Sequence, residues 1–285
     1  TGGFGAELQG PQVRFTDGSA AGWADRVERL SNSAHARIGA AIHSVRAVPA
    51  DQLGTVAGWA EQHGAPLHFH MSEQRAENDA CLAAHGCTPT QLLSENGALG
   101  PLSTAVHATH LTDGDIAALA GSRTYVCMTP TTERDLADGI GPARDLADVG
   151  GPLTLGSDSN AIIDIFEEAR GMELDERLRT ERRGHWLASD LLRAATSDGH
   201  ASLGWPEAGR LEAGGLADFV TVSLDSVRMA GWDSATLLET VVFAANSPDV
   251  SAVVVGGRRV VEQGKHALVG DVAGALGQSI GALLA

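Results

Sequence analysis

Five short apolar segments recur along the first half of the chain and constrain the fold more than any other feature. They cover residues 38–42, 66–70, 104–110, 124–128 and 153–156. Helical spacing follows the first three segments, at residues 50–63, 78–85 and 113–120. Short strands that alternate with helices are typical of a parallel sheet with right-handed crossovers. The sequence therefore predicts an α/β fold.

Polar side chains follow these segments, at the carboxyl end of each predicted strand. They include His43 and Arg46, His70 and Glu73, His107 and His110, Thr131, Thr132 and Glu133, and Asp158. Parallel α/β barrels assemble their active sites at this end, from several different strands. Imidazole and carboxylate groups there can bind a metal ion and transfer protons. We therefore expect a single site at this edge of the sheet.

The segment around His68-Phe69-His70 is the strongest metal-binding candidate. Alternation along a strand places His68 and His70 on one face and Phe69 on the other. Catalytic zinc usually has three protein ligands, so at least one ligand must come from elsewhere in the chain. The alternative is that both histidines are satisfied by hydrogen bonds in the core. For His68, which lies one alternation deeper, a core position is the favoured interpretation.

Charge and cysteine content limit the classes of partner. The chain has 285 residues and a formal net charge of −16, which argues against nucleic acid or an anionic membrane as a partner. No apolar run is long enough to span a bilayer. The three cysteines form no CxxC pair, which favours a reducing cytoplasm over a disulfide framework. We expect a cytoplasmic protein of 43% hydrophobic residues with a large core.

The second half of the chain changes in character. Residues 164–200 are helical and highly charged, and we interpret them as solvated helices with local ion pairs. Strand-like runs at 216–222 and 251–261 predict a small satellite β domain. An apolar-faced helix is predicted for the final residues, 272–285.

Three of the site motifs together resemble the amidohydrolase superfamily. They are His70-x-x-Glu73, His107 within Val106-His107-Ala108-Thr109-His110, and Asp158 within Gly156-Ser157-Asp158-Ser159. The resemblance implies a (β/α)8 TIM-like barrel of the amidohydrolase type, of which this chain carries about strands 4–8. Residues 209–218 resemble the stretch by which such chains return to a small β-sandwich. We accordingly expect part of a metal-dependent barrel in 1–205, the β-sandwich in 206–265 and a C-terminal helix in 266–285.

The same resemblance implies a role for each site residue. His70 would bind one divalent ion, zinc, and Asp158 would bind it too and take the proton of the hydrolytic water. His107 would lie over that water, and Glu73 would pass the proton to the leaving nitrogen. From the residues alone, Asp158 could instead be a helix N-cap and Glu73 a surface glutamate.

Four fragments narrow the implied reaction. Residues 42–48, 70–74, 107–112 and 130–133 resemble family members that act on a linear formimino group. The implied activity is zinc-dependent deimination of N-formimino-L-glutamate to N-formyl-L-glutamate and ammonia, in histidine degradation. Arg46, assisted by His43, suits a substrate carboxylate because a guanidinium binds one bidentately. The alternatives are a surface ion pair for Arg46 and a core position for His43, while Thr131, Thr132 and Glu133 have no assigned role.

Two further interpretations of function stay open. One is an amidohydrolase-type deaminase of a purine, pyrimidine or triazine, and the other is a metal-free barrel that only binds a small anion. As partners we expect a small anionic substrate and a second copy of the chain in a homodimer.

The chain departs from the family at its start. Family members carry a first-strand His-x-His that supplies two zinc ligands, and nothing before His43 can do so. Five strands also cannot close a barrel that needs eight. We therefore expect roughly 100 to 200 further N-terminal residues in the functional protein.

Overall fold

Five parallel strands form the sheet that carries the candidate site. In this computed structural model they are β1 (Ala40–Ile42), β2 (Leu67–Met71), β3 (Ser103–His107), β4 (Tyr125–Met128) and β5 (Leu153–Leu155), paired in that order. Parallel neighbours cannot be joined by a tight turn, so helices connect them. All three residues of β5 are buried, as is typical of a parallel sheet covered on both faces. The predicted α/β fold is confirmed.

The helices of this part of the chain lie before, between and after the strands. They are α1 (Ala20–Val27), α2 (Ala50–His63), α3 (Arg75–His85), α4 (Pro89–Glu95), α5 (Asp113–Ser122), α6 (Pro130–Asp135), α7 (Ala143–Asp148), α8 (Ile165–Thr180), α9 (Ala188–Ala195) and α10 (Ser197–Ser202), after a 3-10 helix at Gly10–Phe15. Capping residues in the sequence define the ends of several of these helices. Thr112 caps α5 by accepting from the Asp115 amide, and Gly64 ends α2 with a φ of 56°.

Apolar residues on alternate strand positions form the core. Ile42, Phe69, Met71 and Val126 are almost fully buried in the strands, and Leu119 is fully buried in α5. His68 lies on the opposite face of β2 from Phe69, and its Nε2 is 3.0 Å from the Ser202 carbonyl oxygen. His68 therefore has a structural hydrogen bond within the first part of the chain.

The strand predicted at 104–110 ends three residues early. His107, the last residue of β3, and Ala108 have left-handed φ angles of 70° and 51°, which end the extended backbone at this point. The chain turns there, and His110 leaves the strand. Its Nε2 is 2.8 Å from the Asp138 carbonyl oxygen, so His110 holds the following loop.

The interpretation of residues 164–200 as solvated helices is wrong for three of their glutamates. Glu168, Glu173 and Glu176 of α8 are all buried. Each has protein partners inside the fold. Glu173, for example, accepts hydrogen bonds from the Gly184 and Trp186 amides at 2.9 Å. Burial of a carboxylate requires such partners, and the sequence spacing of α8 did not reveal them.

The chain divides into two units between Pro206 and Glu207. The second unit has a four-stranded antiparallel sheet of β6 (Phe219–Val222), β7 (Val250–Val255), β8 (Arg258–Glu262) and β9 (Lys265–His266), with helices α11 (Leu237–Ala244) and α12 (Val272–Leu284) and 3-10 turns at Ser234–Thr236 and Ser247–Asp249. Gly256 and Gly257 join β7 to β8 with φ angles of 56° and 74°, as a type I′ hairpin turn requires.

The structure describes residues 4–284. The expected barrel part, 1–205, and the expected C-terminal helix, 266–285, each extend beyond these limits, at 1–3 and at 285. The assignment of the three expected domains stays a prediction. Among the described residues, no helix has both the length and the apolarity needed to cross a bilayer.

We expect Leu119→Ala to lower the free energy of unfolding by about 2–5 kcal/mol, because it removes a fully buried side chain and leaves a cavity. Leu82→Ala on α3 is the matched control, since Leu82 is 58% exposed. Urea unfolding followed by circular dichroism measures both variants. Equal losses would mean that the α5 face is not part of the core.

Candidate metal centre

Two histidines and one aspartate come together at the carboxyl edge of the parallel sheet. His70 is near the end of β2, His107 ends β3, and Asp158 follows β5. One ligand atom from each lies within 4.8 Å of the other two. These residues are far apart in sequence. Parallel pairing brings them together, because the carboxyl ends of all the strands lie at the same edge of the sheet.

The backbone is left-handed at several positions of this edge. Ser72 after β2, His107 and Ala108 at the end of β3, and Asp158 after β5 have φ angles of 45° to 70°. Non-glycine residues adopt such angles at a cost of roughly 1–3 kcal/mol each, and they cluster at functional sites. The turns direct His107 and Asp158 toward the same point as His70.

One hydrogen bond fixes the tautomer of His70. Its Nδ1 is 2.8 Å from the backbone carbonyl oxygen of His43. A carbonyl oxygen can only accept, so Nδ1 carries the proton and Nε2 keeps its lone pair. Nε2 lies 3.8 Å from Oδ1 of Asp158. This is the usual arrangement of a metal-binding histidine, whose second nitrogen donates to a carbonyl or carboxylate.

His107 is buried, with the carboxylate of Glu73 near one ring nitrogen and that of Glu133 near the other. Its ring stacks on that of His70, with centroids 5.4 Å apart and an interplanar angle of 21°. Nε2 lies 3.8 Å from Oε1 of Glu73, and Nδ1 lies 2.8 Å from Oγ1 of Thr129. Burial lowers the pKa of His107, but Glu133, together with the charges on Glu73 and Asp158, outweighs burial and raises it.

This donor set fits zinc. Two imidazoles and a carboxylate are ligand types that catalytic zinc takes. Nε2 of His70 and Oδ1 of Asp158 are 3.8 Å apart, so both would be placed to hold one ion. The sequence assigned His70 and Asp158 to the metal, and the geometry brings His107 into the same group.

Glu73 and Arg46 form an ion pair beside this group. Nη2 of Arg46 is 3.5 Å from Oε2 of Glu73, and its Nε is 3.8 Å from Oε2 of Glu77. Glu77 also accepts from the Glu73 amide at 3.3 Å. Glu73 is therefore no surface glutamate: it is positioned between a guanidinium and the His107 ring.

His43 lies at the rim, next to His70. Their ring centroids are 5.2 Å apart. Partial burial, followed by the electrostatic effect of the neighbouring His70 and Arg46 side chains, lowers the pKa of His43. The ring is thus neutral near pH 7, and its backbone carbonyl orients His70.

Asp158 is not a helix N-cap. The helix that follows it, α8, begins at Ile165 and is capped by Asp164. The carboxylate of Asp158 therefore caps no helix here and lies with His70 and His107.

Sequence analysis assigned no role to three buried residues that support the site. Glu77, Thr129 and Glu133 are 4% exposed or less. Their four-residue spacing, Glu73-x-x-x-Glu77 and Thr129-x-x-x-Glu133, spans the entry to α3 and to α6, and it was the available signal.

Comparison with known proteins identifies the family. A model of the amidohydrolase family matches residues 4–260, and the chain belongs to this family. It is 36% identical to formimidoylglutamate deiminase of Pseudomonas aeruginosa over 99% of this chain and 64% of the relative. It is 31% identical to 5-methylthioadenosine/S-adenosylhomocysteine deaminase of Pelotomaculum thermopropionicum over 78% of this chain. The chain spans 51% of that second relative.

Solved structures show the same fold. An amidohydrolase from Brucella melitensis superposes with a TM-score of 0.87 and 31% identity, over 99% of this chain and 64% of the other. An adenosine deaminase from Xanthomonas campestris, with bound zinc, gives a TM-score of 0.85 and 25% identity, over 92% of this chain and 61% of the other. These matches confirm the amidohydrolase-type fold.

We expect Glu77→Gln to change the pH dependence of stability. Burial, partly opposed by Arg46, raises the pKa of Glu77 to about 6 from 4.5. The folded wild type therefore binds this proton more tightly than the unfolded chain does. Its free energy of unfolding should fall, relative to Glu77→Gln, by about 2 kcal/mol as the pH rises from 4.5 to above 6. Urea unfolding of both proteins at pH 4.5 and pH 7.5 measures the difference.

The control is Glu95→Gln, at an exposed position of α4. It should change the free energy of unfolding by less than about 0.5 kcal/mol. A difference between wild type and Glu77→Gln that is the same at both pH values would contradict the raised pKa.

Proposed function

We propose that this chain supplies the active site of a zinc-dependent deiminase that converts N-formimino-L-glutamate to N-formyl-L-glutamate and ammonia. The observation that carries the proposal is the group of His70, His107 and Asp158 with Glu73 beside it. The 36% identity to the Pseudomonas deiminase over 99% of the chain supports the substrate.

His70 and Asp158 would hold the zinc ion through Nε2 and Oδ1, with His107 Nε2 within reach of the same position. When bound, zinc supplies a Lewis acid that lowers the pKa of a coordinated water toward neutrality. Asp158, whose side chain is about one-quarter exposed, can accept a proton from the attacking water.

Glu73, in its protonated form, is placed to give a proton to the leaving nitrogen, while Asp158 keeps the proton of the water. Water adds to the formimino carbon, a proton moves to the terminal nitrogen, and the carbon–nitrogen bond breaks to release ammonia. Oε1 of Glu73 lies 3.8 Å from His107 Nε2, so the acid and the imidazole face one reacting centre. His107 would accept a hydrogen bond from the attacking water through Nε2, the nitrogen that faces Glu73 and the metal group.

Arg46 and His43 would bind the substrate carboxylates. The Arg46 side chain is 21% exposed, and its contacts with Glu73 and Glu77 use only part of its five donors. A guanidinium that contacts both the catalytic acid and a substrate carboxylate would align the formimino group with Glu73.

Partners and location are also part of the proposal. The substrate is a small anion, so local arginine charge is needed in a chain of net charge −16. The homodimer, the cytoplasmic location and the absence of nucleic acid and membrane partners stay predictions.

We expect zinc-loaded wild type to release ammonia from N-formimino-L-glutamate and Asp158→Asn to be slower by at least about 100-fold, because the amide cannot accept the proton. A coupled glutamate dehydrogenase assay measures ammonia, and mass spectrometry of the metal measures zinc in each protein. Asp79→Asn, on the exposed face of α3, is the control.

A wild type that binds zinc without releasing ammonia would remove this substrate from the proposal. A protein that binds no zinc, and whose anion binding Asp158→Asn does not change, would favour the metal-free anion-binding barrel instead.

The second candidate is a deaminase of an adenosine-type substrate, favoured by the similarity to the Pelotomaculum and Xanthomonas enzymes. Arg46→Ala separates the two. It should raise the KM for N-formimino-L-glutamate by about 10-fold or more, since a charged hydrogen bond contributes about 1.5–3 kcal/mol. The KM for methylthioadenosine, which has no carboxylate, should hardly change.

Steady-state kinetics on both substrates test this, with Arg75→Ala, an exposed arginine at the start of α3, as the control. An unchanged KM for the formimino substrate in Arg46→Ala would contradict the carboxylate role.

A further inference from the structure

Two buried side chains lie directly behind His107, on the side away from Glu73. Nδ1 of His107 is 2.8 Å from Oγ1 of Thr129, and Oγ1 of Thr129 is 3.3 Å from Oε1 of Glu133. Thr129 is 1% exposed and Glu133 is 4% exposed. The three side chains form one hydrogen-bonded row from the candidate site into the protein interior.

The direction of these hydrogen bonds follows from the donors. An ionised carboxylate only accepts, so the Thr129 hydroxyl donates its one proton to Glu133. The oxygen of Thr129 is then an acceptor toward His107, and Nδ1 of His107 must carry the proton. In the neutral ring this leaves the lone pair on Nε2, the nitrogen that faces Glu73 and the metal group.

The row is held rigidly from both ends. Thr129 precedes α6, and its backbone amide donates to Oε1 of Glu133 at 3.2 Å, while Glu133 donates its amide to the Thr129 carbonyl at 3.0 Å. Glu168 of α8 accepts from the amide and hydroxyl of Thr131, which fixes the first turn of α6. A buried network whose members are all paired specifies one geometry.

The opposite tautomer would have a partner of its own. With the proton on Nε2, His107 could donate toward Oε1 of Glu73, which lies 3.8 Å away. The two carboxylates on either side of the ring therefore favour opposite tautomers. The shorter contact is the one to Thr129.

We propose that Thr129 and Glu133 are positioning residues, which hold His107 as the Nδ1–H tautomer and so direct its Nε2 lone pair into the site. The inference rests on the proposed function in one respect, the role given to His107. Glu133 acts on His107 in two ways, through Thr129 and through a 3.7 Å contact of its Oε1 with His107 Nδ1.

The test is the tautomer itself, read by long-range proton–nitrogen NMR of protein labelled with 15N-histidine, without metal or substrate. The spectra are recorded at a pH at which the ring is neutral, and His107→Gln assigns its signals. Wild type should show the Nδ1–H form. Thr129→Val removes the acceptor at constant shape and should shift His107 toward the Nε2–H form, whereas Thr129→Ser should restore the wild-type spectrum.

A matched control lies on the same strand as His107. Thr104 is fully buried in β3, and its hydroxyl has no hydrogen-bond partner among the described residues. Thr104→Val makes the same chemical change and should leave the His107 tautomer as in wild type. Glu133→Gln, which keeps the size of the side chain, should give a mixture of tautomers and covers the case in which Thr129→Val does not fold.

A second readout is zinc affinity, measured by competition with a chelator. Loss of an outer hydrogen-bond partner typically weakens metal binding about 10- to 100-fold. We expect a loss in this range for Thr129→Val and none for Thr104→Val. The KM for the formimino substrate should be unchanged while kcat falls, since Arg46 is untouched.

A His107 that stays Nδ1–H in both Thr129→Val and Glu133→Gln would overturn the proposal, as would an Nε2–H ring in wild type. Because the NMR measurement needs no turnover, failure of the proposed reaction leaves this result interpretable. Conversely, ammonia release by wild type with an unshifted tautomer in the variants would retain the function and reject the positioning role.

Discussion

The register between β2 and β3 is the constraint on which the rest of the site depends. Parallel pairing places Met71 opposite His107 and His70 opposite Val106. His107 therefore lies one residue beyond His70 along the pair, and regular alternation would put the two side chains on opposite faces. The left-handed φ of 70° at His107 breaks that alternation, and the two rings stack. A shift of one residue in either strand would turn that strand's side chains to the other face of the sheet. The β1 strand adds to this edge by offering the His43 carbonyl to His70.

The carboxylates at that edge form two groups, one that faces the histidines and one that is buried behind them. Asp158 and Glu73 face the space between the histidines, and Glu77 and Glu133 lie behind them, buried. Arg46 is the cation that contacts Glu73 and Glu77. Such an excess of carboxylates around two imidazoles is electrostatically suited to a bound divalent cation. The same excess explains why the chain needs hydrogen-bond donors such as the Thr129 and Thr131 hydroxyls deep in the fold.

The sequence predicted the elements that depend on local pattern. Apolar runs of four to seven residues predicted the strands, and the position of His70, Glu73 and Asp158 at or just beyond their ends predicted the edge at which these residues meet. It could not predict the burial of Glu77, Glu133 and Glu168, because a charged residue on an amphipathic helix is normally solvated and only its tertiary partners make burial possible. The early end of β3 was missed for a related reason. The left-handed φ angles at His107 and Ala108 are imposed by packing, and neither histidine nor alanine favours such angles by itself.

That turn has a consequence for how the protein can vary. Ala108 is fully buried with a φ of 51°, a conformation that glycine adopts without strain. Glycine there would relieve the folded backbone, yet it would also allow the peptide after His107 to rotate and the imidazole to leave its row with Thr129. Relief of backbone strain at this turn would thus act against the precise placement of the ring. A change at Ala108 could lower activity although no side chain that contacts the metal group is altered.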